Sequence, residues 1–323
     1  MYIKFIIFTL SVFVFSVTAF LPRNNRGRKN LTEVNENVYL VFYNGETVDQ
    51  YESIQLSDIE SLLKNKDFDA KHKKTVFYTP GFVEPVNAST TVAVLSSYLD
   101  TKQYNVIQVN WTKYSMAGKY LQEAVPSTYA VGQAVALGIE KLLGTGVLDR
   151  NTITIVGHSL GAQISGTIAR NLKQPIPLVV GLDPAGPGYG EASEHLRKGD
   201  AQYVLVIHTD VGVYGTRYND GDLDLHMNSG IRPQPECTIL SIPFSLTEAD
   251  TCSHQKSTFF WANIVRYPGI FKAIDCDSAQ FLRIKKCDKS KPITISQDMQ
   301  GITGVYYLRT GKKHPYGLGL EGI

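Results

Sequence analysis

The sequence has no internal repeat and no low-complexity linker, which excludes solenoid and propeller arrays and a long flexible tether. It also lacks charge. Only 19% of its residues are charged against 43% hydrophobic, which excludes extensive disorder. Acidic residues are missing from the first 29 positions, which carry Lys4, Arg23, Arg26, Arg28 and Lys29. The rest of the chain holds 27 basic residues against 30 acidic ones. No excess of positive charge remains to hold nucleic acid. No apolar run reaches the ~20 residues that would span a bilayer. Cysteine is scarce: Cys237, Cys252, Cys276 and Cys287 are the only four, and their spacing is not that of a zinc site.

What is present at the N-terminus has the form of an export signal. Lys4 is followed by the apolar run Phe5–Phe15 and by Val17-Thr18-Ala19. The order of a charged start, a short apolar stretch and small residues predicts a signal peptide over 1–19 and a secreted, extracellular protein. Residues 20–35 then read as a basic N-terminal segment, disordered or removed as a pro-segment. Residues 36–323 read as a single domain. An even number of cysteines in a secreted chain predicts two disulfides. Three pairings exist, of which Cys237–Cys252 with Cys276–Cys287 is the simplest. Sequons at Asn30, Asn87 and Asn110 agree with export.

Along the domain, strand-like runs alternate with helical patterns. "TVFYTPGF" (Thr75–Phe82) and "NVIQVNW" (Asn105–Trp111) read as buried strands, as do "TITIVG", "PLVVGLD" and "YVLVIHTD". Between and after them, "TYAVGQAVALGIEKLLG", "GAQISGTIARNLK" and "STFFWANIV" keep a helical period. This alternation predicts a mostly parallel sheet covered by helices on both faces. In such sheets the chemistry gathers beyond the carboxyl ends of the strands.

Gly157-His158-Ser159-Leu160-Gly161 stands at one such end, with a strand before it and a helix after it. This G-x-S-x-G pattern is a nucleophile elbow, a sharp turn that lifts a serine hydroxyl clear of the sheet. A serine needs an imidazole to take its proton and a carboxylate to orient the imidazole. Asp183 and Asp210 end successive strands, and topology does not choose between them. His195, His208, His226, His254 and His314 all lie downstream. Of these, His208 falls within a strand-like run and reads as core, and His314 and the upstream His72 read as solvated. His254 precedes the last helix beside Cys252, so it is the candidate base. His158 reads as a packing residue.

The stretches "GHSLGAQISG", "GLDPAGP", "VIHTD", "QPEC", "CSHQKS" and "GVYYLRTGKKHPYG" occur in this order. With them the chain resembles the pancreatic-lipase family of secreted α/β-hydrolases, which includes insect neutral lipases and venom phospholipases A1, over roughly Lys73 to Tyr316. The resemblance implies an α/β-hydrolase fold and a catalytic triad of Ser159, Asp183 and His254. Oxyanion-hole N–H groups would come from Phe82 and Leu160. It implies a lid between Cys237 and Cys252 whose apolar residues Ile239, Leu240, Ile242, Phe244 and Leu246 face lipid. It implies lipid-ester hydrolysis at a membrane or emulsion surface, with no metal and no cofactor. A storage protein that binds lipid without cutting it is the alternative. The short lid leans toward phospholipid. No C-terminal β-sandwich is expected, and hence no requirement for a small protein cofactor. Three positions, in two places, depart from the family pattern. Pro80 stands where histidine is usual before Gly81-Phe82, and Asp222 and His226 stand where histidine and tyrosine are usual.

Overall fold

The structure is a computed structural model that describes residues 30–238, 242–276, 287 and 289–323. The expected signal peptide lies outside the described residues. Among the described residues, eleven strands form one sheet: β1 (Tyr39–Tyr43), β2 (Tyr51–Gln55), β3 (Lys74–Thr79), β4 (Tyr104–Asn110), β5 (Ile153–His158), β6 (Leu178–Leu182), β7 (Tyr203–His208), β8 (Leu223–Met227), β9 (Lys272–Asp275), β10 (Ile293–Thr294) and β11 (Gly304–Leu308). Their spatial order is β10-β9-β11-β8-β7-β6-β5-β3-β4-β1-β2. The central run from β4 to β11 is parallel, and the strands outside it pair antiparallel. Central strands such as β6 and β7 are buried along their whole length. That is why they read as continuous apolar runs rather than alternating ones.

The α-helices of the described residues are α1 (Leu31–Asn37), α2 (Ser89–Thr101), α3 (Thr112–Ser115), α4 (Val125–Gly144), α5 (Leu160–Arg170) and α6 (Glu248–Arg266). One core lies under α4 and α5, around Val131, Val135, Ile139, Ile164 and Ile168. The other lies under α2 and α6, around Leu95, Tyr98, Phe260 and Trp261. Two buried cores on opposite faces give the three-layer architecture of an α/β-hydrolase. No β-sandwich is found among the described residues. None of their helices is long and apolar enough to cross a membrane.

Two sequence expectations need correction. The basic N-terminal segment does not run to residue 35: Asn30 caps α1 through a hydrogen bond from the Thr32 N–H, and Val34 is fully buried in the first core. The final helix starts well before Ser257. Its first turns, "EADTCSHQKS", are too polar to show an apolar stripe. Thr247 nonetheless accepts the Asp250 N–H, and Glu248 and Asp250 suit the positive N-terminal end. His254 and Cys252 therefore lie inside α6, not in a loop before it.

Candidate active site

Ser159 joins β5 to α5 with φ 55° and ψ −121°. A side chain rarely adopts that backbone conformation, which costs roughly 1–3 kcal/mol. Neighbouring hydrogen bonds hold it. The Ser159 N–H donates to Leu182 O at 3.0 Å, and Ser159 O accepts the N–H groups of Ala162 and Ala185. The flanking glycines are required by space. A Cβ on Gly161 would stand 2.0 Å from the Thr79 carbonyl oxygen, and one on Gly157 would stand 2.2 Å from the Gly161 carbonyl oxygen. Backbone atoms cannot step aside as a flexible side chain can. Gly161→Ala is expected to destabilise the fold by at least about 3 kcal/mol, read as a lower urea midpoint. Gly144→Ala, at the open end of α4 where an added Cβ meets nothing within 4 Å, should leave the midpoint in place.

Asp183 follows β6, also at positive φ (44°), with its carboxylate wholly buried. Its Oδ1 accepts the N–H groups of Thr209 (2.8 Å) and Asp210 (3.1 Å). Its Oδ2 stands 2.6 Å from His254 Nδ1. Two rings pack against the His254 imidazole. The His158 ring is tilted to it, centroids 4.6 Å apart, and the Tyr214 ring stacks at 5.4 Å. The His254 carbonyl accepts from Thr209 Oγ1 and faces His158 Nε2 at 3.3 Å. His254 is thus packed against the residue preceding Ser159. The Ser159 hydroxyl makes no hydrogen bond among the described residues.

Asp210 is also brought to this edge. One ligand atom from each of Asp183, Asp210 and His254 lies within 4.8 Å of the others, a grouping that could suit a cation. The positive charge found beside them is the Arg232 guanidinium, which grips Asp210 through Nε (2.6 Å) and Nη2 (2.5 Å). The other histidines are placed elsewhere. His208 is buried against Asp224 at 2.7 Å, His195 pairs with Asp220, and His72 and His314 are exposed. His226 stacks between His208 and Tyr307, and burial pushes its imidazole down to about 2, so it stays neutral. Asp222 accepts the Val204 N–H. The departures at 222 and 226 therefore serve packing.

Pro80, Gly81 and Phe82 lie against the elbow. A Cβ on Gly81 would stand 3.0 Å from Ser159 Cβ. Pro80 has no N–H to give, but its carbonyl is used: it accepts the Trp111 indole N–H at 2.9 Å. The Gly81 N–H donates to Glu84 Oε2 at 2.6 Å, and the Val83 N–H to Ser115 O. Phe82 is half-buried with its ring edge-on to Tyr120. Neither the Phe82 N–H nor the Leu160 N–H has a partner among the described residues. Glu84, for which the sequence carries no motif, joins the site as well. It is buried and contacts His158 Nδ1 at 2.9 Å, off the hydrogen-bond axis. Burial alone would raise the Glu84 carboxyl, but His158, the Gly81 N–H and the Thr90 hydroxyl hold it below its ordinary value. Burial would likewise lower His158, but Glu84 raises it.

A family model of lipases matches residues 17–316. The chain belongs to the lipase family. Among curated relatives, phospholipase A1 2 of Vespa affinis is 29% identical over 81% of this chain and 80% of its own. Phospholipase A1 of Vespa crabro is 27% identical over 76% and 83%. Lipase member H-B of Xenopus laevis is 33% identical over 68% of this chain and 47% of its own. Among solved structures, esterase B from Lactobacillus rhamnosis (HN001) aligns at 14% identity over 54% of this chain and 66% of that one, with a TM-score of 0.31.

In this lipase-family chain Cys237 is bonded to Cys252, and Cys276 to Cys287. The first bridge ties the segment after Arg232 and Gln234 to the second turn of α6, two residues before His254. Within the segment it closes, Ile242, Phe244 and Leu246 are 78%, 59% and 48% exposed. Ile239 and Leu240 lie outside the described residues. Phe244 meets the Tyr214 ring edge-on at 5.3 Å, and the Leu246 N–H donates to Asp250. The apolar side chains therefore point outward from an anchored loop.

Proposed function

We propose that the chain is a secreted lipid-ester hydrolase in which Ser159 is the nucleophile, His254 the general base and Asp183 its orienting carboxylate. The 2.6 Å contact of Asp183 with His254 Nδ1, next to the strained Ser159 turn, carries this reading. With its Nδ1 proton directed to Asp183, His254 would have Nε2 left to accept the Ser159 proton. The serine oxygen then bonds to the ester carbonyl carbon. Charge forming on the carbonyl oxygen is met by the unpartnered Phe82 and Leu160 N–H groups. The C–O bond breaks, His254 returns its proton to the departing alcohol, and water repeats the sequence on the acyl-serine. Neither a metal nor a protein cofactor enters these steps.

Phospholipid is the proposed substrate, with triacylglycerol second. The loop between Cys237 and Cys252 is short, with a sequence separation of 15, and two of the relatives are named phospholipase A1. The outward Ile242, Phe244 and Leu246 would enter the lipid surface. The two disulfides and the apolar run at 5–15 support export, with N-glycans at the exposed Asn30 and Asn87. A fluorophosphonate probe is expected to label the protein. Phosphatidylcholine liposomes should yield one fatty acid and one lysophospholipid per turnover, faster than a triacylglycerol emulsion yields fatty acid. An unlabelled protein sinks the enzyme reading. Faster turnover of triacylglycerol sinks only the phospholipid preference.

A further inference from the structure

Two buried carboxylates face one imidazole, and only one of them is free to use it. Asp183 and Asp210 end adjacent strands, each with no exposed surface. Asp210 is gripped by one edge of Arg232, its two oxygens accepting from Nε and Nη2. The same guanidinium donates through Nη1 to Asp250 Oδ1 at 2.9 Å and through Nη2 to the Asp250 carbonyl at 3.0 Å. Asp250 sits on α6 four residues before His254. Its Oδ2 accepts the Tyr214 hydroxyl, and the Tyr214 ring stacks on His254. The Arg232 guanidinium lies 5.5 Å from the centroid of that ring.

We propose that Arg232 is a positioning residue for the base. It keeps Asp210 in an ion pair, so that Asp183 alone takes the His254 Nδ1 proton. Through Asp250 and Tyr214 it also fixes the ring on its helix. This inference rests on the reading of His254 as the general base.

The charges around the imidazole explain why this matters. His254 is faced by Asp183 from the end of β6, Asp210 from the end of β7, the His158–Glu84 pair from the β5 and β3 ends, and Tyr214 from the loop after β7. Asp250 shares its helix. Arg232 is the cation that offsets Asp210 and Asp250. Without it, two buried carboxylates lose their partner. An uncompensated carboxylate that close favours the imidazolium over the neutral ring by about one pH unit or more. It also offers Nδ1 a second acceptor, which pulls the ring off the line to Ser159.

The test is kcat/KM against pH on a soluble short-chain ester for wild type, Arg232→Met, Arg232→Lys, the double variant Arg232→Met/Asp210→Asn, and Ser159→Ala. Arg232→Met should lower kcat about 10- to 100-fold at neutral pH with KM little changed. Its acid limb should rise by about one pH unit. The double variant, which carries no bare charge at 210, should return the acid limb to its wild-type position and recover most of kcat. Arg232→Lys keeps the charge but not the fork. It should keep the wild-type acid limb with a smaller loss of kcat. If Arg232→Met does not fold, the other two variants decide. An acid limb that stays in place in Arg232→Met, a double variant that fails to restore it, or a lysine variant that shifts it overturns the proposal. Those results, with Ser159→Ala inactive, would leave the serine-hydrolase reading standing. Ser159→Ala as active as wild type would remove both.

Discussion

Ser159→Ala is expected to lower ester hydrolysis by at least about 10⁵-fold, because the residues of such a triad act as one unit and nothing replaces the attacking oxygen. The residual rate, measured against the uncatalysed ester, reports what the Phe82 and Leu160 N–H groups contribute alone. The same position gives a second, opposite result. Ser159 sits at φ 55°, and glycine reaches such values without steric cost. Ser159→Gly should therefore be as inactive as Ser159→Ala, yet more stable than it by about 1 kcal/mol or more, seen as a higher urea midpoint. A glycine variant no more stable than the alanine one would mean that the elbow is not strained in solution. An alanine variant within tenfold of wild type would end the proposal that Ser159 is the nucleophile.

The sheet is legible in the sequence because its central strands are buried on both faces and so stand out as apolar runs. The elbow is legible because two glycines and a serine in a strand-to-helix setting have few other uses. The outer strands β2, β9 and β10 carry no such signal, since they are short or half-exposed. The start of α6 is hidden by its own chemistry. Its first turns carry Asp250, Cys252, Ser253 and His254, which bind the candidate site and the Cys237–Cys252 loop rather than the core, so no apolar stripe marks them. The Thr247–Asp250 cap is the signal that could place it. Glu84, Tyr214, Arg232 and Asp250 escape sequence reasoning for another reason. Each acquires its role from a partner distant in sequence: Glu84 from His158, Tyr214 from His254, and Arg232 from Asp210 and Asp250. No local spacing encodes such pairs. The choice of Asp183 over Asp210 has the same limit. Both carboxylates end adjacent strands beside the imidazole, and what separates them physically is a guanidinium from a loop some twenty residues further on.

That separation makes the effect of Asp183→Asn the sharper test of how the site is wired. An asparagine keeps the shape of the side chain and can still meet His254 Nδ1. It presents an N–H as readily as a carbonyl, and it no longer holds the Nδ1 proton against a negative charge. The imidazole then favours the tautomer with its proton on Nε2, where it cannot accept from Ser159. The expected loss in kcat is about 10⁴-fold, with the fold intact by circular dichroism, because the Thr209 and Asp210 N–H groups still find an oxygen. Asp210 is the carboxylate that could take over, being within 4.8 Å of the same imidazole. Its two oxygens are committed to Arg232, and burial together with the Asp183 charge raises its carboxyl above the ordinary value. The substitution therefore cannot be bypassed cheaply. A loss below about tenfold would show that Asp210 serves the imidazole, and would exchange the roles of the two carboxylates. Asp183→Asn combined with Arg232→Met distinguishes these cases further. Freed from its guanidinium, Asp210 can turn to Nδ1, and part of the activity lost in Asp183→Asn should return.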